Sequence, residues 1–194
     1  MTHRRIMITA GSTRRDSAHA LLARHVAGRL DELDRSHVLV DLAEYDMPLY
    51  HGDLEAEVGV PESAHRLAEL IAESGALLIA TPEYNGAVTP LLKNTVDWVT
   101  RVDIGVLRDT YIGMMAASPG RLGGTRGLAM VRTWFDAMRL VVHDSDLSLP
   151  QVGEHIEDID GSPRFDATTT DVIDRFLSGF LTQFDEYCCG RPAG

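Results

Sequence analysis

Apolar runs without polar alternation take turns along this chain with stretches in which apolar residues return every third or fourth position. Arg5 to Ala10 (RIMITA), His37 to Leu42 (HVLVDL), Ala76 to Thr81 (ALLIAT) and Tyr111 to Ala117 (YIGMMAA) read as strands, the first and third with the unbroken apolar pattern of a buried strand. The shorter stretch from Asp146 to Leu149 predicts a fifth strand. Helical spacing predicts a helix over about Ser17 to Leu33, carried by Leu21, Leu22, Val26 and Leu30 and capped by Asp16 or Ser17. Further helices are predicted over Glu62 to Glu73, with Ser74-Gly75 as its C-cap, and over Val88 to Arg101, Gly127 to Leu140 and Thr170 to Tyr187. AEYDMPLYHGDLEAEVGVPE, from Ala43, and Gly153 to Asp166 read as loops.

Strands alternating with helices build parallel βαβ units, so the pattern predicts an α/β three-layer sandwich with a five-stranded parallel sheet. Five strands and five helices suit the flavodoxin-like order 2-1-3-4-5 better than a six-stranded dinucleotide fold. A chain of 194 residues is expected to form one domain, 1–194. In such a sheet the loops leaving strands one, three and four converge where ligands bind. Here they are GSTRRDS, TPEYNGA and ASPGRLGGTRG, the loops densest in hydroxyls and glycines.

The first loop precedes a helix start, whose free N–H groups and positive dipole end suit a phosphate. Ser12 and Ser17 add hydroxyl donors and Arg14 a guanidinium. The same residues serve equally as a tight turn with capping serines and solvated arginines. Neither GxxxxGK[ST] nor GxGxxG is present, so a nucleotide-hydrolysing loop and a dinucleotide fingerprint are both unsupported. In the second loop, amides around Asn85-Gly86 can donate to the edge of a flat heterocycle, and a glycine allows close approach; the plainer reading is a turn with Tyr84 on the surface. Ser118 and Gly120 to Gly124 form the opposite wall, where larger side chains would obstruct a ring.

Composition narrows the partners. Hydrophobic residues at 44% and charged residues at 24% are ordinary for a globular protein. A net charge of −11 disfavours nucleic acid and anionic membrane, and makes the first-loop arginines the local positive charge that a phosphorylated ligand needs. No segment reaches membrane-span length, and the N-terminal apolar run is too short for a signal peptide. Cys188 and Cys189 are adjacent and fit neither a metal spacing nor a disulfide framework, so a reducing cytoplasm is the expected location and a frayed tail the expected setting. The eight histidines show no HExxH, and His143-Asp144 is expected in a solvated turn. The absence of GxSxG argues against an α/β-hydrolase. Asp97 is a candidate buried polar anchor, and Met114-Met115 read as core.

GSTRRDSAHALLAR together with PEYNGAVTPLLKNTVDW resembles the NADPH-dependent FMN reductase family, a flavodoxin-like group that includes azoreductases and quinone or chromate reductases. SPGRLGG fits more loosely. The resemblance implies FMN as cofactor, with Ser12, Arg14 and Ser17 at its phosphate, Pro82, Glu83, Tyr84, Asn85 and Gly86 along its isoalloxazine, and Ser118 and Gly120 on a third flavin loop. Many members carry Asn where this chain has His19, which could still donate to the phosphate. The resemblance also implies NADPH or NADH as co-substrate, small planar acceptors such as quinones, azo compounds or free flavin, and a homodimer or homotetramer. The helix carrying Leu91, Leu92, Val96, Trp98 and Val99 would lie near that interface, although those residues suit a core as well.

On that footing nicotinamide and acceptor would stack on the same face in turn, with no residue needed as an obligatory acid or base. Tyr84 would shape the stacking face, and Arg121 and Arg126 are candidates to meet a 2′-phosphate. Residues 43–60 and 153–168 are expected to shape acceptor access. The alternative is a flavin-binding electron carrier with little turnover; a third reading keeps the fold without flavin.

Overall fold

A computed structural model describes residues 4–190. The four long apolar runs become β1 (Arg5–Ala10), β2 (His37–Val40), β3 (Ser74–Ala80) and β4 (Tyr111–Ala117). Every residue of β3 and β4 is buried, which is why both read as unbroken apolar sequence. The fifth position holds two short pieces, β5 (Val141–Val142) and β6 (Leu147–Leu149). Within this sheet every pairing is parallel, and the order is β2-β1-β3-β4-β5 with β6 also beside β4, as the alternation predicts.

Helices cover both faces: α1 (Ala18–Glu32), α2 (Gly52–Val58), α3 (Glu62–Glu73), α4 (Pro90–Arg108), α5 (Thr125–Ala137) and α6 (Ala167–Cys189). Alternate strand residues sort into two cores. Ile6, Ile8 and Leu78 pack with α1 and α6, through Leu22, Phe180 and Phe184. Met7, Leu77 and Ile79 pack with α3, α4 and α5, through Leu67, Val96 and Phe135. Met114 and Met115 are fully buried, one in each core, as expected.

The split fifth strand departs from the expectation. β5 pairs with Tyr111 and Ile112 at the start of β4, and β6 with Met115 to Ala117 at its end. Two residues of β5 are too few to register as a run in the sequence. His143 in the gap is not in a solvated turn: it is 3% exposed, and its Nδ1 lies 2.9 Å from the Tyr111 hydroxyl. That hydroxyl donates to Gln183 Oε1 at 2.7 Å, so the break is closed by a buried polar chain.

Both expected long loops hold regular structure. Residues 43–61 contain α2, which buries none of its side chains and so lacks the periodic signal. Residues 153–166 contain an antiparallel hairpin, β7 (Ile156–Ile159) with β8 (Ser162–Phe165). Its turn, Asp160-Gly161, has φ of 55° and 76°, the pair of positive values that favours Asp-Gly in two-residue hairpins.

Several boundaries also shift. The helix expected to end at Arg101 breaks close to there, since Asp103 leaves helical geometry; its Oδ1 accepts from Gly105 N at 2.7 Å and starts a further helical stretch that carries α4 to Arg108. Ser74-Gly75 opens β3 rather than merely closing α3; at Gly75 an added Cβ would lie 2.7 Å from Arg4 Cβ and 2.9 Å from Phe184, so close packing selects that glycine. Asp97 is no buried anchor but bonds Lys93 one helical turn back. Cys188 and Cys189 form the last turn of α6, the first half-buried and the second exposed, instead of a frayed tail.

Candidate functional site

The carboxyl ends of β1, β3 and β4 carry the three predicted loops, and hydrogen bonds tie them together. Gly11 N donates to Ala80 O at 2.9 Å, and Thr89 Oγ1 donates to Gly11 O at 2.7 Å. An added Cβ at Gly11 would come within 3.0 Å of Thr81 Oγ1 and 3.3 Å of Leu92 Cβ, so a side chain there would crowd the closure of the first loop on the second. Glu83 joins the second loop to the third: its carboxylate accepts from Gly127 N at 2.9 Å in the first turn of α5 and pairs with Arg126 at 3.0 Å. Gly127 is needed for that approach, since an added Cβ would lie 2.8 Å from Glu83 Cβ. Glu83, expected along a flavin ring, lines a cleft there while its carboxylate fastens two loops.

In the first loop, Ser17 caps α1 by accepting from Ala20 N at 3.0 Å, and Ser12 Oγ accepts from Arg14 N at 3.3 Å. The amides of Ala18 and His19 open the helix with no helical acceptor, which is the donor pair a phosphate requires. Arg14 is exposed and forms no ion pair among the described residues. In the second loop, Asn85 and Gly86 have φ of 54° and 79°, and Tyr84 and Ala87 exchange backbone bonds at 2.9 and 3.0 Å. This two-residue turn leaves the Asn85 and Gly86 amides without a backbone acceptor among the described residues, and nothing lies within 4 Å of an added Gly86 Cβ. A flat ring edge could be met there by two N–H donors.

The predicted residues divide between two clefts. A cavity of about 310 Å³ is lined by His19, Pro82 and Glu83 on one side and by Ser118, Gly120 and Arg121 on the other. Ser12 and Arg14 line a neighbouring cavity of about 410 Å³ instead, toward the end of β2. Ser17, Tyr84, Asn85 and Gly86 line neither; Tyr84 stands 42% exposed at the rim. The second loop serine's neighbour, His19, is buried, and burial pushes its pKa down to about 4. Its Nε2 accepts from Ala117 N at 3.1 Å, so the neutral ring carries its proton on Nδ1 and fastens α1 to the start of the third loop.

Two residues of the third-helix motif have a role the sequence did not assign. Asn94 accepts from Tyr50 N at 2.8 Å and donates to Pro48 O at 3.0 Å, while Trp98 Nε1 donates to Pro48 O at 2.7 Å. They strap residues 47–50 to α4. No group of side chains able to hold a metal ion occurs among the described residues.

A doubly wound parallel sheet with glycine-rich loops meeting at its switch point defines a flavodoxin-like protein with a ligand cleft at the carboxyl edge. The family model described as NADPH-dependent FMN reductase matches residues 4–154, and the chain belongs to that family of oxidoreductases, whose cofactor is FMN and whose co-substrate is NAD(P)H. It is 30% identical over 189 residues to a quinone reductase from Escherichia coli, covering 94% of each chain. A 2-hydroxy-1,4-benzoquinone reductase from a Burkholderia species is 39% identical over 97 residues, 50% of each. Among solved structures, the flavoenzyme NAD(P)H:(acceptor) oxidoreductase FerB from Paracoccus denitrificans superposes with a TM-score of 0.79 at 26% identity, covering 95% of this chain and 98% of that one.

Proposed function

We propose that this chain, as one flavodoxin-like domain, is an FMN-dependent NAD(P)H oxidoreductase that reduces quinones, azo compounds, free flavin or similar flat acceptors. The observation that most supports the reading is the mutual fastening of three loops at one sheet edge, through Gly11 to Ala80, Glu83 to Gly127 and His19 to Ala117. Bound FMN supplies the hydride-accepting and electron-donating chemistry. The chain's part is to hold and orient. Ser12, Arg14, Ser17 and the first amides of α1 would hold the phosphate, with the neutral His19 able to give only an Nδ1–H.

Pro82 to Gly86 would line one side of the ring, where the Asn85 and Gly86 amides stabilise negative charge at its edge. Ser118 and Gly120 would line the other side. Tyr84 would shape the stacking face, and no side chain need act as an obligatory acid or base. Donor and acceptor occupying one cleft in turn give ping-pong kinetics. Arg126 is engaged by Glu83, which leaves Arg121 the freer of the two arginines for a 2′-phosphate in a binding mode that keeps the whole reducing nucleotide in the three-loop cleft. We further infer, from the family resemblance, a homodimer or homotetramer in the cytoplasm, with Leu49 (79% exposed) and Val58 (69% exposed) as apolar residues that an interface would cover; sedimentation as a monomer alone at micromolar concentration would refute the assembly.

The visible spectrum of the purified protein, followed by release and identification of its chromophore, tests the reading. Arg14→Ala removes a charge-assisted hydrogen bond worth about 1.5–3 kcal/mol, so FMN retention should fall roughly 10- to 100-fold with the melting temperature unchanged. NADPH oxidation with menadione as acceptor is expected. A protein that stays colourless after FMN addition overturns the proposal, and a yellow protein without turnover converts it to an electron carrier.

A further inference from the structure

The larger cavity, about 410 Å³, lies beside the three-loop cleft and is only touched by the flavin reading at Ser12 and Arg14. Its size is within the roughly 300–1,000 Å³ typical of small-molecule sites. Its walls come from the loop after β1, the first turns of α1 and the segment after β2. Three kinds of surface meet there. Ala20, Ala23 and Leu39 form an apolar shelf on the α1 face of the sheet, and Leu39 is 44% exposed on it despite its size. Arg14, Arg15 and Arg24 stand along one rim, with Arg24 Nη1 held against Arg15 O at 3.3 Å. Asp41 and Glu44 line the cavity from the segment after β2. Asp41 is fixed there because its Oδ1 accepts from Ala43 N at 2.9 Å, leaving Oδ2 with no partner among the described residues.

Each surface excludes some ligands. A simple anion has no use for the shelf and is repelled by the carboxylates; a purely apolar ligand gains nothing from five charged groups. A flat base, a vicinal diol and a phosphate on one molecule match all three. A carboxylate at the end of the strand beside β1 is also where dinucleotide folds bind a ribose hydroxyl. We propose that this cleft takes the adenosine 5′-phosphate unit of a dinucleotide: base on the Leu39 and Ala23 shelf, ribose hydroxyls to Asp41 and Glu44, phosphate toward Arg15 and Arg24. From β2 to β4 is three inter-strand steps, roughly 14 Å, a span that a dinucleotide covers.

The unit has two possible carriers, FAD extending from the flavin phosphate or the reducing pyridine nucleotide, and the inference rests on the flavin reading only for that attachment. Calorimetric titration of 5′-AMP into the FMN-loaded protein reads the cleft itself. Binding is expected, weakened about tenfold or more by Asp41→Asn, which keeps the cap, and by Arg24→Ala. It should be abolished by Ala43→Trp, a substitution at an exposed rim position that fills the mouth. Because the carboxylates repel a 2′-phosphate, 5′-AMP should bind more tightly than 2′,5′-ADP, and the reverse order would overturn the diol assignment.

If FAD is the carrier, wild-type protein retains FAD more tightly than FMN and Ala43→Trp erases the difference while leaving FMN retention unchanged. If the pyridine nucleotide is the carrier, FAD and FMN bind alike, and the KM advantage of NADH over reduced nicotinamide mononucleotide disappears in Ala43→Trp. No 5′-AMP binding in wild type, or binding indifferent to all three substitutions, overturns the site. Should the protein take up no flavin, 5′-AMP binding sensitive to Asp41→Asn and Ala43→Trp still supports the cleft while the flavin reading alone fails.

Discussion

His19 shows how one buried ring makes a loop arrangement depend on pH. Its folded pKa of about 4 lies below the ordinary 6.5 because burial disfavours the cation. The unfolded chain therefore binds the proton more readily. The ring's contribution is whole above about pH 6.5 and is lost as pH falls toward 4, reaching at most about 3 kcal/mol. His19→Gln can still offer an acceptor to Ala117 N but has nothing to titrate. Urea midpoints at pH 7.5 and 4.5 should differ less in the variant than in wild type; equal pH slopes would show that the ring titrates freely. Glu83 acts at the same scale through geometry. Glu83→Ala leaves the Gly127 amide and Arg126 without their acceptor, and is expected to loosen the third loop and weaken flavin retention severalfold, read by dialysis against buffer.

At the scale of elements, the fifth strand is the instructive case. Its gap persists because Tyr111, His143 and Gln183 satisfy one another inside a shell of Phe176, Phe180 and Phe184. Burial pushes the Tyr111 hydroxyl up to about 12 and the His143 ring down, so both stay neutral at pH 7. Tyr111→Phe keeps the ring packing but strands two buried polar groups, for an expected cost of about 1–3 kcal/mol in chemical denaturation. A change within a few tenths would mean that water replaces the hydroxyl. The hairpin of β7 and β8 teaches a different lesson. Its Asp160-Gly161 turn is a strong local signal, but its flanks are mostly exposed and charged, so no alternation of apolar residues announces the strands.

For the molecule as a whole, a net charge of −11 opposes anionic ligands at long range, whereas the two clefts are lined by five arginines and three carboxylates. Local charge should win, because the clefts lie within a Debye length of about 10 Å of those arginines at 0.1 M salt while most of the acidic surface does not. On the proposed activity, kcat/KM for the reducing nucleotide is expected to fall as ionic strength rises from 10 to 300 mM. A rise would show that the net charge governs encounter.

The covered strands, their order and the three converging loops were legible in the sequence because burial on both faces leaves continuous apolar runs, and βαβ chirality restricts how such runs connect. The Asn85-Gly86 turn was legible too, since positive φ is a property of two residues and their immediate neighbours. Tertiary structure decided what depends on residues far apart in the chain: that Glu83 fastens α5, that His19 holds Ala117, that His143 is buried, and that Leu39, Asp41 and Arg24 line one second cleft. Local pattern reports which face of an element is covered, but a hydrogen-bond partner or an opposing charge exists only once the chain has folded back on itself.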